Sequence, residues 1–347
     1  MKHLEEYKEK IHSCSKCGLC QAVCPIYKIT GNDCTVSRGH FIMLRGLIKG
    51  DLKMSSQLNR YLDLCLKCGA CTKFCPSGID VVDIIASAKA EYFKIHFLEK
   101  LVSFVQKNFL FGVGIKILSL FADSIKSKKF DKKVIYFGGC SGNVKGNKSV
   151  VKLLNACGVE VFSPKFNCCG IPFYVRGDMK SFEQAKESYL NIVKQNNITD
   201  VVTTCASCEK TIKSFSKELN VNNIFTYIRE NQLRLKLKKK IKVTFHKPCN
   251  LDNFEDIEWI LEHTENLEYV EMKDFDSCCG LNGITRLNEY SIMSKIFKNK
   301  CDNIKKSGAQ IVLTSCLGCE IALSLYGFGK YKVQDFTEFL VKNVVNL

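Results

Sequence analysis

Eight cysteines stand in two runs of one pattern. The first reads Cys14-Ser-Lys-Cys17-Gly-Leu-Cys20-Gln-Ala-Val-Cys24-Pro25, and the second Cys65-Leu-Lys-Cys68-Gly-Ala-Cys71-Thr-Lys-Phe-Cys75-Pro76. Three thiols spaced this closely lie on a tight turn and can grip three corners of one [4Fe–4S] cubane. The fourth precedes a proline, which lacks an N–H and redirects the chain. In two-cluster ferredoxins that fourth thiol serves the other cluster. The spacing therefore assigns Cys14, Cys17, Cys20 and Cys75 to one cubane, and Cys65, Cys68, Cys71 and Cys24 to the other. Zinc takes four ligands, commonly as two separated pairs, and fits two intact runs ending in Cys-Pro poorly. Gly18, Gly69 and Ala70 let backbone amides approach sulfur, a contact that helps set reduction potential.

Ten further cysteines fall into two matched sets. Cys140 precedes Cys168-Cys169-Gly170 by 28 residues, and the pair Cys205 and Cys208 begins 36 after Cys169. Cys249 precedes Cys278-Cys279-Gly280 by 29, and the pair Cys316 and Cys319 begins 37 after Cys279. Intervals that differ by one residue between sets mark an internal duplication. Five thiols exceed the needs of a tetrahedral metal, and adjacent cysteines are awkward on one zinc. The sets point to an iron–sulfur cluster other than a simple cubane, or to redox-active sulfur, with Cys168, Cys169, Cys278 and Cys279 the candidate catalytic thiols. Buried structural cysteines or a zinc site are the plainer alternative. Cys157 and Cys301 lie on helical patterns and read as small buried apolar side chains; Cys34, before the Arg38-Gly39 turn, stays unassigned. His246 reads either as a donor toward a cluster or as a hydrogen-bonded structural histidine. Arg38 reads equally as a cation offsetting an anionic cubane and as a surface arginine at a helix start.

The elements that must position these thiols follow from periodicity. Between the two cysteine runs, residues 41–50 and 55–65 carry apolar side chains at three- and four-residue steps, a helical pattern. The second run leads through Ser77-Gly-Ile-Asp80, a plausible capping start, into an apolar-periodic stretch from Val81 to about Val105. From residue 134 short β-branched runs alternate with helical periodicity. Candidate strands end at Cys140, near Pro164 and at Cys205, with a helix over Met179 to Asn196. The order returns with strands at 242–249, 267–272 and 311–316, and helices around Ile257 to Glu262 and Tyr290 to Lys306. Such alternation predicts α/β units with a parallel sheet, whose strand ends and following loops place ligands. The expected architecture is multidomain: an α-helical bis-[4Fe–4S] ferredoxin-type domain over 1–94, a helical connector over 95–133, and two duplicated α/β cysteine-rich modules over 134–233 and 241–347.

The chain has 347 residues, enough for about two to three domains. Its 21 cysteines, about 6%, are sparser than in disulfide-knotted secreted domains. It opens MKHLEEYKEK, with no apolar segment behind the charges, so the thiols are expected in a reducing cytoplasm, holding metal or reacting. Seven of the 51 cations are arginine, against 35 carboxylates, for a formal charge of +16. No nucleic-acid motif accompanies this surplus, and no nucleic-acid partner is expected. No run reaches the roughly 18 apolar residues that cross a bilayer. The nearest, Phe109 to Ala122, contains Lys116 and reads as a buried helix pair. With the basic stretch Arg234 to Lys242 it reads alternatively as peripheral contact with the inner face of the membrane; that stretch is equally a solvated linker. No Gly-x-Gly-x-x-Gly follows a strand, so no nucleotide or flavin site is expected. A chain with clusters and no hydride-handling cofactor needs a partner that splits an electron pair, most simply a flavin.

The order of two Cys-Pro-terminated runs followed by two modules with Cys-Cys-Gly and Cys-x-x-Cys resembles the iron–sulfur subunits of glycolate oxidase. It is also similar to cysteine-rich subunits of lactate utilisation enzymes, anaerobic glycerol-3-phosphate dehydrogenase and heterodisulfide reductase. Residues 65–84, CLKCGACTKFCPSGIDVVDI, resemble the glycolate oxidase group most. The likeness spans nearly the whole chain except Ile95 to Lys133. It implies an electron-transfer role beside an FAD-containing dehydrogenase subunit that oxidises glycolate or D-lactate, with electrons passed to an acceptor: a quinone, a ferredoxin or a disulfide. The heterodisulfide reductase likeness implies that each module holds a further, noncubane [4Fe–4S] cluster on five cysteines and that such a cluster cleaves a disulfide. These ligands would be Cys140, Cys168, Cys169, Cys205 and Cys208 in one module, and Cys249, Cys278, Cys279, Cys316 and Cys319 in the other. Some glycolate oxidase subunits lack part of the second Cys-x-x-Cys, so the full set here leaves both chemistries open.

Overall fold

A computed structural model of the chain describes residues 3–105, 107, 124–140, 145–166, 168–281, 290–345 and 347. The Phe109–Ala122 run lies outside the described residues. The chain forms two compact units, the first comprising Met1–Phe104, Pro172–Phe182 and Ser277–Asn299, the second Val105–Ile171, Glu183–Asp276 and Lys300–Leu347. The segment after the first Cys-Cys-Gly motif, and the second motif itself, thus cluster with the N-terminal helices rather than with the sheets.

The first unit is helical. Helices Ser37–Lys49, Ser56–Leu64 and Val81–Ile95 pack Phe41, Leu44, Leu58, Leu62, Ile84 and Ile85 into one core, each leucine contributing about 1.5–3 kcal/mol on burial. The cap of the third helix is Asp80, whose Oδ1 accepts the N–H of Val82 at 3.1 Å and of Asp83 at 3.3 Å; Ser77 stands three residues before that cap and outside the helix. The stretch from Val81 to Val105 is two helices, Val81–Ile95 and Phe97–Val105. They part at His96, which is extended and stacks its ring on Tyr92 at 3.8 Å. At Gly39 a side chain would collide with the Asp33 carbonyl, so glycine is what lets the preceding turn cross this helix.

The second unit holds two four-stranded sheets, parallel throughout. The first contains β1 (Lys132–Tyr136), β2 (Val159–Phe162), β3 (Asp200–Thr203) and β4 (Asn220–Asn223), in the order β2-β1-β3-β4. The second contains β5 (Leu235–Phe245), β6 (Thr264–Tyr269), β7 (Ile311–Thr314) and β8 (Lys332–Asp335), in the order β6-β5-β7-β8. Identical order in both is the duplication written in topology. One apolar core joins them, with Val134, Val202 and Phe225 from one copy and Val243, Leu313 and Phe336 from the other. The basic stretch 234–242 belongs mostly to β5. Leu235, Leu237 and Ile241 turn inward, while Lys236 pairs with Glu265 at 3.0 Å and Lys240 with Glu268 at 3.1 Å.

Candidate metal centre

In the helical unit the two four-cysteine runs fold alike. Each passes through a left-handed lysine and then a left-handed glycine, Lys16 (φ 61°) and Gly18 (φ 88°), Lys67 (φ 52°) and Gly69 (φ 74°). A short helix follows each, Leu19–Val23 and Ala70–Lys73. Turns of this kind aim successive N–H groups inward and favour an anionic guest. Cys24 caps the helix Pro25–Thr30, with Pro25 in the first turn, where its missing N–H costs nothing. An open concavity of about 400 Å³ is bordered by Cys14, Cys17, Cys20, Cys75 and Arg38; a second, of about 420 Å³, is bordered by Cys24, Cys65, Cys68 and His40. Cys71 borders both. Arg38 sits in the first turn of its helix and donates to Asp33 at 2.7 Å, so both properties considered for it, helix-start placement and proximity to a cysteine set, belong to one side chain.

Charge decides what these sites can hold. Burial pushes the Cys24 thiol up to about 11 and the Cys71 thiol higher still. Protein groups alone therefore leave these sulfurs protonated, and a cation must accompany their ionisation. All-sulfur donors around open concavities fit iron–sulfur chemistry. Within the same unit, the Cys278 thiol hydrogen-bonds Cys68 and lowers it to about 7. Cys278 is held by the N–H of Gly280, which is left-handed at φ 87° and packs on Ile296.

In the sheet unit, strand ends position the remaining sulfurs. The order of winding reverses between β1 and β3, and between β5 and β7, so each sheet has a switch point where ligands bind beyond the strand ends. Cys205 follows β3 and caps the helix Ala206–Lys213; Cys316 follows β7 and caps Leu317–Tyr326. The helix start at Ala206 pulls its pair toward thiolate, but neighbouring sulfurs and burial overcome that pull at Cys205 and Cys208. Cys208 Sγ donates to Cys169 Sγ at 3.5 Å, and Cys140, Cys168, Cys205 and Cys316 lie near enough to these sulfurs to shift one another's ionisation. Donation from Cys168 and Cys208 holds Cys169 well below the usual thiol range. Hydrogen bonds to Cys140 and Cys169, aided by burial, push Cys168 well up, and those to Cys169 and Cys205 do the same for Cys208. Cys208 pulls Cys205 down, but Cys316 and burial outweigh it. Five buried or half-buried thiols of the first set thus converge, sharing protons that iron would displace.

The two copies abut at these pairs. The N–H of Ala206 donates to the Ser315 carbonyl at 3.1 Å. Ser207 Oγ lies 3.8 Å from Cys316 Sγ and accepts from Asn250 Nδ2 at 3.0 Å. Sequence reading passed over Ser207 and Asn250, although their places, inside one Cys-x-x-Cys and directly after Cys249, were the available signal. His246 is fully buried, with a ring nitrogen within 4.8 Å of Cys319 Sγ. Cys157 and Cys301 are buried, the latter 2.9 Å from the Tyr331 hydroxyl. Cys34 lies in the turn Asp33–Thr35, its N–H donated to Asn32 at 2.9 Å.

Residues 10–79 match the family model of the 4Fe-4S dicluster domain, and residues 134–213 and 243–324 both match that of the cysteine-rich domain. The chain thus carries one domain of the first type and two of the second. Proteins similar to it include an uncharacterised iron–sulfur protein of Methanococcus maripaludis, 28% identical over 90% of this chain and 67% of that one. A probable glycolate oxidase iron–sulfur subunit of Bacillus subtilis is 23% identical over 94% and 92%. A subunit of the dihydromethanophenazine:CoB–CoM heterodisulfide reductase of Methanosarcina acetivorans is 23% identical over 90% and 88%. A crystal structure of a hypothetical protein from Helicobacter pylori shares the fold, with a TM-score of 0.53 at 13% identity, over 98% of this chain and 74% of that one. With a 4Fe-4S dicluster domain and two cysteine-rich domains, the cofactors of the chain are iron–sulfur clusters.

Proposed function

We propose that this chain is the electron-carrying subunit of a complex whose FAD-containing partner oxidises a 2-hydroxy acid, glycolate or D-lactate. The observation that carries the reading is the pair of concavities in the helical unit, one bordered by Cys14, Cys17, Cys20 and Cys75 and the other by Cys24, Cys65 and Cys68, with Cys71 on both. Cys14, Cys17, Cys20 and Cys75 would hold one [4Fe–4S] cluster, and Cys65, Cys68, Cys71 and Cys24 the other. The sets Cys140, Cys168, Cys169, Cys205, Cys208 and Cys249, Cys278, Cys279, Cys316, Cys319 would hold the further ones. Bound clusters supply one-electron acceptance and release. The protein's own part is to bury the sulfurs of Cys168, Cys169, Cys205, Cys208, Cys279, Cys316 and Cys319, half-enclose most of the rest, and keep Arg38 beside the first set. The reading agrees with the likeness to a glycolate oxidase subunit; the chain would work in the cytoplasm or at the inner face of the membrane, and a quinone, ferredoxin or disulfide would take the electrons.

A second reading makes the Cys-Cys-Gly modules the catalyst of disulfide reduction. It is favoured by the convergence of first-module sulfurs, in which Cys168 and Cys208 donate to Cys169 and lower it from the usual thiol range, and by the likeness to a heterodisulfide reductase subunit. One preparation separates the two: the anaerobically purified native assembly. The first reading expects flavin in it and loss of cluster colour on adding glycolate or D-lactate. Clusters that stay oxidised with both acids, in material without flavin, overturn it. Viologen-driven disulfide reduction by the isolated loaded chain, abolished by Cys168→Ala or Cys278→Ala, would replace it with the second.

A further inference from the structure

Because the modules are copies, each position in one has a counterpart in the other. β1 runs on into Phe137 and β5 into His246, and their N–H groups donate to the carbonyls of Val202 and Leu313, both at 2.8 Å. The two residues hold one site in the fold. In the first module that site is apolar. Phe137 is 1% exposed and packs on Phe166 and Tyr189, with ring centroids 4.9 and 5.3 Å away. Its ring and Cys208 Sγ flank the same glycine, Gly139. In the second module the site is an imidazole, 0% exposed, with a ring nitrogen within 4.8 Å of Cys319 Sγ, the counterpart of Cys208.

We propose that His246 donates a ring N–H to sulfur at the Cys319 side of the second module's iron–sulfur group, making that module the more oxidising of the two. The inference rests on the cluster loading of both modules given above. Each module has its own five cysteines, and the first completes its set with phenylalanine at this site, so the nitrogen is not needed as a ligand. A hydrogen bond to cluster or thiolate sulfur stabilises the electron-richer state and raises the reduction potential. A phenyl ring cannot donate one. Electrons reaching the sheet unit then settle on the second module, and the first acts as the relay. His246 is a positioning residue: it acts through sulfur and touches no substrate.

The full chain, loaded anaerobically with iron and sulfide, tests this by redox titration followed with paramagnetic resonance, beside iron analysis. His246→Phe should lower the higher of the two module potentials toward the other with iron content unchanged. His246→Gln, which keeps an N–H, should retain most of the wild-type value, and Phe137→His should raise the lower potential. Unchanged potentials in His246→Phe overturn the inference. Loss of one cluster's iron in that variant also overturns it, since His246 would then be a ligand. Wild-type protein with iron enough only for the two cubanes removes the loading itself, and the inference with it.

Discussion

Asn223 and Asp335 end β4 and β8 in the same register, opposite Thr203 and Thr314. The asparagine donates to Glu209 at 3.1 Å. The aspartate caps Phe336–Asn343 by accepting the Glu338 N–H at 3.1 Å, and Lys145 nearby pairs with Glu320 at 2.7 Å. Burial pushes the Asp335 carboxyl up to about 7, outweighing the Lys145 ammonium. The folded chain thus retains a proton that the unfolded chain has already lost. Stability contributed by that proton is complete below the ordinary carboxylate range and gone above about pH 7, a change of up to about 4 kcal/mol. Asp335→Asn keeps the cap acceptor and removes the charge. Urea midpoints should match wild type near pH 4 and exceed it near pH 8; a parallel pH dependence in both proteins would contradict this account. Nothing in the sequence marked Asp335, because its burial comes from tertiary packing rather than from its neighbours in the chain. The cysteines, by contrast, advertise themselves through spacing, and their neighbours Ser207 and Asn250 do not.

Elements carry the next level of order. The helix Ser37–Lys49 reaches back through Arg45, whose Nη2 donates to the carbonyls of Ile11 and Cys14, both at 2.9 Å, and whose Nε donates to Ile11 at 3.2 Å. This fork ties the helix to the start of the first cysteine run. Charged hydrogen bonds contribute about 1.5–3 kcal/mol each, so Arg45→Ala should cost about 3 kcal/mol by urea unfolding. It should also deplete iron from the first cluster site before the second. Equal loss from both would mean Arg45 supports the unit as a whole. Helices were the legible elements: Met179–Asn196 has the bounds that its periodicity gives. The break at His96 was hidden because apolar spacing continues across it. β4 and β8, reading Asn-Val-Asn-Asn and Lys-Val-Gln-Asp, carry too little hydrophobic signal to be seen. β5 begins earlier than its apolar core because its lysines face glutamates on β6.

At the scale of the molecule, the duplication was legible from cysteine intervals alone, and the identical strand orders express it. The composition of the helical unit was not. Residues 172–182 join it through contacts such as Arg176 with Glu99 at 3.1 Å and Tyr174 with Asp83, pairs that no local pattern foreshadows. Among the described residues no helix is long and apolar enough to cross a membrane. Iron content is the measurement that belongs here. Two cubanes require about eight irons per chain and loading of both modules about sixteen, with matching sulfide. A value near eight would confine clusters to the dicluster domain, and an iron-free, zinc-loaded chain would overturn the cluster assignment.

The first residues of β5 pair with β6 on one side only, since β7 joins from Val243 onward. Their other side is taken by an antiparallel bridge from Leu237 to Val344 and by the Val345 N–H donating to Lys236 at 2.9 Å. Without that strip the strand would offer bare amides and carbonyls, the template on which neighbouring molecules add strands and precipitate. Trimming the chain before Val344 would therefore show itself as insolubility while every cysteine remained in place.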